Sequence, residues 1–208
     1  MAPVAEKTNS VLGRQEKRRR ETRAKLIGAT IKLLYENGTV GLTMEDVAHE
    51  AGLTRGAIQY HFDSPKSLLM AGIIEIAGRL GQHLDVRELT RLSLPDRIDR
   101  VVEDYWIGFG GENYAAFIEI AVRGRQDPEL AAAITSTLEE LERERAIVWQ
   151  QVFADTGYSA DDIIFWRSTL LITLRGLALT KMIGRESEKV APQIDLFKDM
   201  FKRYLMKK

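Results

Sequence analysis

The chain has no cysteine in 208 residues. Disulfides, thiolate nucleophiles and thiolate metal sites are thereby excluded, and a cytoplasmic setting is expected. Histidine is nearly as scarce: of three, His49 and His61 fall within one short stretch, which leaves little for a histidine-based metal or catalytic site. No Gly-rich phosphate loop, GxSxG elbow or HExxH pairing occurs. No run reaches the roughly 18 to 20 apolar residues of a membrane helix, and no signal-peptide core follows the N-terminus. With only five prolines, long segments of 3.6-residue periodicity run unbroken, and no strand pattern or repeat competes with them. The expectation is an all-α chain of about nine helices that is no enzyme and carries no cofactor, metal or membrane anchor.

Net charge is absent too, 30 basic residues balancing 30 acidic ones, but the balance is uneven along the chain. Residues 1–72 carry 11 Lys and Arg against 8 Asp and Glu, and residues 14–25 alone carry seven against two. The N-terminal third is therefore the basic part, the sign that a nucleic-acid-facing module needs.

What is present is concentrated in Thr43–Phe62. Thr43 with Asp46 three residues on forms an acidic capping box, and Met44, Val47, Ala48 and Ala51 supply an apolar stripe. Gly52 ends that helix and Thr54 caps the next, on which Ile58 and Phe62 face inward. Two short helices about a glycine turn form a helix-turn-helix, whose second helix can enter the major groove of DNA. On its outward face Arg55 suits guanine and Gln59 suits adenine. Gly56 lets the backbone approach, and Thr43, Thr54, Tyr60, His61 and Lys66 are of the types that hold phosphate. The blander readings are that His61 and Tyr60 pack and that Gly56 reflects helix crowding.

The remaining helices follow from caps and breaks. Residues 1–17 lack periodicity and read as a mobile arm. A first helix follows from about Arg18 to Asn37, with Ala24, Ile27, Ile31 and Leu34 inward. Ser64-Pro65 opens a fourth helix ending near His83 to Asp85, and residues 85–93 read as a connection. Further helices are expected from Ser93, from Asn113 to about Gly124, from Asp127-Pro128 to about Thr156, from Ser159 to Ile183, and from Ala191-Pro192 onward. The domains are thus an arm (1–17), a helix-turn-helix domain (18–64), and a linking helix with a larger helical domain (65–208).

From about Arg19 to Gly72 the sequence resembles the N-terminal domain of TetR-type transcriptional repressors. Leu42-Thr43, Val47-Ala48, Ala51-Gly52, Gly56-Ala57-Ile58 and Tyr60-His61-Phe62 carry the likeness, with Ser64 and Leu68. Two positions depart from the pattern: Gln59 stands where the family most often has Tyr, and Pro65 where it usually has Lys. The resemblance implies a repressor that binds a palindromic double-stranded DNA operator as a homodimer and is released by a small-molecule effector. In some members an arm reaches the minor groove, a role that Lys17–Arg20 would fill here. The competing class is an all-helical interaction or small-molecule-binding protein without specific DNA binding.

The C-terminal part matches the family by layout. The helix from Ala160 to Ile183 is apolar nearly all round and must be covered on both sides. The dimer interface is expected at Leu170, Leu174 and Leu177 with Phe197 and Phe201 of the last helix, and Gly176 would permit close approach. Effector contacts are expected from Tyr105, Trp106, Phe109, Phe117, Arg123, Trp166, Thr173 and Arg175. Arg175, inside so apolar a helix, pairs either with a buried carboxylate of the protein or with an acidic ligand.

Overall fold

The computed structural model describes residues 4–80, 84–184 and 187–206. Among them are ten α-helices and one short 3-10 turn, without a strand. The chain divides into two compact units, residues 1–72 and 73–208. The division falls inside the fourth helix, which is therefore shared between the units instead of opening the second one.

In the first unit, α1 runs from Val4 to Asn37. The expected arm is helical from Val4, and the helix begins well before Arg18. Beyond Pro3 nothing interrupts it, and surface ion pairs one turn apart, Glu16–Arg20 and Lys17–Glu21, support its exposed stretch. Its inward stripe is Leu26, Ile27, Ile31 and Leu34, whereas Ala24 is exposed. The buried Thr30 satisfies its hydroxyl by donating to the Leu26 carbonyl at 2.8 Å. Helices α2 (Met44–Glu50) and α3 (Arg55–His61) pack on this stripe and each other through Val47, Ala48, Ile58 and Phe62.

Helix α4 (Pro65–Arg79) starts as expected, with Pro65 first and the Ser64 hydroxyl accepting from the Ser67 amide at 3.2 Å. Its expected end near His83 lies outside the described residues.

The second unit holds α5 (Val86–Leu89), α6 (Leu94–Phe109), α7 (Glu112–Gly124), α8 (Pro128–Val152), α9 (Ala160–Ile183) and α10 (Ser187–Leu205). The expected connection at 85–93 contains α5, capped by the Asp85 carboxylate. Gly111, with no side-chain cap, stands before α7 instead of Asn113. Helix α8 stops at Val152, ahead of a 3-10 turn at Ala154–Thr156. Pro192 lies inside α10, which begins four residues before Ala191. The core is built where α6, α8, α9 and α10 meet, around Val101, Val102, Trp149, Leu170 and Leu174.

The expected dimer residues need correction. Leu170, Leu174, Leu177 and Phe201 are buried inside their own chain, and Phe197 packs against the same core. The large apolar side chains left outside are Ile164, Phe165, Ile172, Leu179, Met182 and Ile183 of α9, with Leu196, Met200 and Tyr204 of α10. A helix apolar on every side offers no phase by which sequence can tell core face from outer face. By length and composition α9 passes for a membrane span, yet seven of its residues lie in this core, Arg167 among them.

One buried side chain pins the far end of this unit. Arg97 on α6 is 2% exposed. It donates to the carbonyls of Leu89 (3.0 Å), Val152 (2.7 Å) and Leu92 (3.2 Å), and grips the Asp155 carboxylate with both terminal nitrogens at 2.6 and 2.9 Å. The Arg97 hydrogen bond holds the Asp155 carboxyl below its ordinary range. Asp155 faces solvent, so the buried carbonyls are the larger stake. Arg97→Ala should lower unfolding stability by about 3 kcal/mol, because unbonded buried acceptors cost about 1–3 kcal/mol each. Asp155→Asn should cost under about 1 kcal/mol. Denaturant titration of both variants checks the ranking.

Candidate nucleic-acid interface and effector cavity

The reading helix is held by its caps and by two inward residues. At Thr43 the capping box is complete: the Asp46 amide donates to the Thr43 hydroxyl (3.1 Å), and the Asp46 carboxylate accepts from the Thr43 amide (3.1 Å) and hydroxyl (2.6 Å). These bonds hold the Asp46 carboxyl below its ordinary range. Gly52 has φ +65°, where a side chain would be strained, and the Leu53 amide returns to the Ala48 carbonyl at 2.8 Å. Thr54 then caps α3 by accepting from the Ala57 amide at 3.2 Å.

With Ile58 fully buried and Phe62 nearly so, the rotation of α3 is fixed. Thr43, Thr54, Arg55, Gly56, Gln59 and Tyr60 are exposed, His61 and Lys66 half-buried. Arg55 and Gln59 have no internal partner among the described residues, so their hydrogen-bonding groups face solvent unspent. Tyr60 is 70% exposed and meets His61 edge-on, ring centroids 5.1 Å apart.

Two α1 residues join this face. The Arg19 guanidinium lies 5.7 Å from the Tyr60 ring centre and that of Arg23 5.2 Å from Phe62. Burial and then these two charges push the His61 pKa down, so the imidazole is neutral near pH 7 and the positive charge comes from the arginines. Arg23 was not expected here. Its only sequence signal was its place one turn beyond Arg19.

The crowding account of Gly56 fails. A methyl group built there meets nothing nearer than the Thr54 hydroxyl at 3.9 Å. Nothing within the chain requires a glycine at this exposed helical position.

In the second unit, a closed cavity lies between the end of α4 and helices α6 to α9. Ala77, Leu80, Phe109, Tyr114, Phe117, Leu138, Leu141, Glu142, Arg145 and Arg175 line it, and about 20 Å3 is open to a water-sized sphere, room for one water. Of the expected effector residues, Phe109, Phe117 and Arg175 line this space. Tyr105 is buried beside it, accepting a hydrogen bond from Trp149 Nε1 at 2.8 Å. The others lie elsewhere. Trp106 packs under Lys181 and Arg123 is exposed. Trp166 stacks among Tyr204 and Phe201, and the Thr173 hydroxyl is used by the Thr169 carbonyl at 2.9 Å. Identical-looking apolar helix faces gave the sequence no means to separate them.

Arg167 is the polar residue that sequence reading missed. It is 3% exposed and donates through Nη1 to Glu142 Oε2, while Arg175 approaches the other Glu142 oxygen at 3.9 Å and covers the Phe109 ring at 5.5 Å. Burial works against the Arg167 charge, but the Glu142 hydrogen bond, the Glu142 charge and the neighbouring Tyr105 hydroxyl outweigh it and raise the Arg167 pKa. Arg145 gives Nη2 to the Ala77 carbonyl at 2.7 Å, and burial lowers its pKa. Nε and Nη2 of Arg167 have no hydrogen-bond partner, at an ordinary cost of about 1–3 kcal/mol per buried group.

Residues 26–71, the segment holding α2, α3 and the start of α4, match the model of bacterial regulatory proteins of the tetR family. That segment is a TetR-family DNA-binding domain. It is 29% identical over 180 residues to the HTH-type transcriptional regulator CymR of Pseudomonas putida, covering 84% of this chain and 86% of that one. Among solved structures, a TetR-family regulator from Mesorhizobium loti superposes with a TM-score of 0.70 at 16% identity, covering 88% of this chain and 96% of that one. A transcriptional regulator from Saccharomonospora viridis, solved with choline, gives 0.62 at 17% identity over 90% and 97%. At these identities the structures speak for the fold, and the matched segment and the relatives make this chain a helix-turn-helix transcriptional regulator.

Gly56→Ala separates fold from function. It should stabilise the protein by about 0.5–1 kcal/mol, since glycine is costly inside a helix. It should also weaken duplex-DNA binding, because the methyl group intrudes where backbone meets DNA. Thermal unfolding and a DNA titration on the same preparation check both; unchanged DNA affinity would remove the close-approach role.

Proposed function

We propose that this regulator is a repressor that binds a palindromic operator as a homodimer and lets go when a small molecule occupies its second unit. The observation that carries this reading is the α3 face: base-reading side chains exposed, without internal partners, on a helix whose rotation is fixed by its caps and core contacts. On that face Arg55 and Gln59 read bases in the major groove, while Thr43, Thr54, Tyr60, His61 and Lys66 hold phosphates. Arg19 and Arg23 add charge beside them. The protein works in the cytoplasm and carries out no chemistry of its own.

The dimer face in this proposal is the outer stripe of α9 and α10. Phe165, Ile172, Leu179 and Ile183 follow one another at intervals of seven, seven and four, which aligns them on one side. Gly176 lies on that stripe with nothing within 4 Å of an added methyl. This much exposed apolar surface on a soluble domain is expected to be covered, and a second copy presents the same stripe. The two α3 helices then meet half-sites about 34–36 Å apart or a multiple of it.

Release is supported by the shared helix: Ala77 and Leu80, at the end of α4, line the cavity. The Saccharomonospora viridis protein shows that a fold of this kind is compatible with a small bound molecule.

Fluorescence anisotropy with duplex DNA from around the coding region tests the reading. Specific binding should weaken steeply with added salt as counterions are released. Arg55→Ala should cost about 1–3 kcal/mol and relax the preference at one base pair. Binding without sequence preference or salt slope would instead support the interaction-module alternative. Ile172→Arg should give monomers in sedimentation and lose most operator affinity; an intact dimer would remove α9 from the interface.

A further inference from the structure

The cavity of the second unit has a charge that the chain does not balance. Two guanidinium groups, Arg167 and Arg175, reach a single carboxylate, Glu142, and a third, Arg145, lines the same cavity while bonded to the Ala77 carbonyl. Glu144 also acts on Arg145, but it is exposed and faces water. The partly buried cluster therefore stands at about two positive charges in excess, beside a wall of Phe109, Tyr114 and Phe117. Arg167 holds Glu142 through Nη1, while its buried Nε and Nη2 make no hydrogen bond of normal geometry, although the Tyr105 hydroxyl lies close enough to act on the group. A folded chain rarely leaves such donors empty unless something else fills them.

From this we infer that the effector is a small organic carboxylate with an apolar body. Its carboxylate takes the place of Glu142 on the arginines and its body lies against Phe109 and Phe117. The inference rests on the effector-release reading above and deepens it by naming the ligand's chemistry. Arginine suits the task, because its planar fork matches a carboxylate with two parallel hydrogen bonds. The Glu142–Arg167 contact then acts as an internal stand-in: Glu142 occupies the arginines in the empty protein and swings out when the ligand enters. Cations are repelled by the same excess charge, and neutral molecules can offer acceptors but not the balancing negative charge.

The test uses the full-length protein and matched probes: benzoate and phenylacetate, the corresponding amides, and benzyltrimethylammonium as the cation. Calorimetric titration should show both acids binding, at least about tenfold tighter than their amides, with the cation not binding. Arg175→Leu, on a half-exposed side chain, should weaken the acids about tenfold and leave the amides unchanged. Glu142→Gln removes the stand-in and should tighten acid binding. Arg167→Leu may not fold, and the other two variants decide without it. Amides that bind as well as acids, a preference for the cation, weaker acid binding by Glu142→Gln, or no acid binding at millimolar concentration would each overturn the assignment. DNA anisotropy with and without probe separates the two layers. If a neutral or cationic probe displaces DNA and the acids do not, the carboxylate assignment fails while the regulator reading stands. If the acids bind the cavity and DNA binding is unchanged, the ligand class stands and release by effector fails.

Discussion

The burial of Ile58 and Phe62 is the constraint on which the reading face depends. A seven-residue helix is too short to persist by propensity alone, so α3 exists because those two side chains are held in the first unit's core and Thr54 caps its start. Placing residues 58 and 62 inside leaves 55, 56, 59 and 60 outside, since the helix turns 3.6 residues per revolution. A polar substitution at Ile58 would therefore blur the direction of every base-reading group as well as lower stability. Arg19 and Arg23 reinforce the arrangement from α1, supplying the charge that a neutral His61 does not.

The second unit solves a different problem. Two buried arginines sit among its helices, and they are treated in opposite ways. Arg97 is saturated by three carbonyls and the Asp155 carboxylate, which makes it a pin between α5, α6 and the end of α8. Arg167 holds one carboxylate and leaves two donors empty. Burying a charge is costly unless it is paired and bonded, so complete pairing marks a structural role and incomplete pairing marks a place where something else belongs. The comparison is internal to one chain and needs no reference to other proteins.

Where the sequence was legible, two signals agreed. In the helix-turn-helix, caps, a glycine turn and alternating buried and exposed positions all pointed to the same helix phase, and the structure keeps every expected contact residue exposed or half-exposed. At α9 the signals were missing. Its residues are apolar on all sides, so the core face (Leu170, Leu174) and the outer face (Ile172, Leu179) could not be told apart, and residues expected at a dimer interface lie in the chain's own core. Arg167 was passed over because arginine is seldom fully buried, whereas Arg175, the suspected one, is half-exposed and shares Glu142 with it. Residues 13–17 are all exposed, and a helical stretch exposed on every side has no apolar periodicity to show.

Helix α4 is where the two units must be coupled, if they are coupled at all. At 15 residues it is a rod of about 22 Å, with Leu68 and Leu69 buried near its start and Ala77 and Leu80 at the cavity near its end. A ligand can shift such an element only by binding one conformer better than another. Here the cavity holds about one water, so any organic ligand large enough to touch Phe109 and Phe117 must bind a conformer other than the closed one. The difference in affinity that the proposed release requires is thus consistent with the size of the cavity, and the Arg145 hydrogen bond to the Ala77 carbonyl ties the same charge cluster to α4.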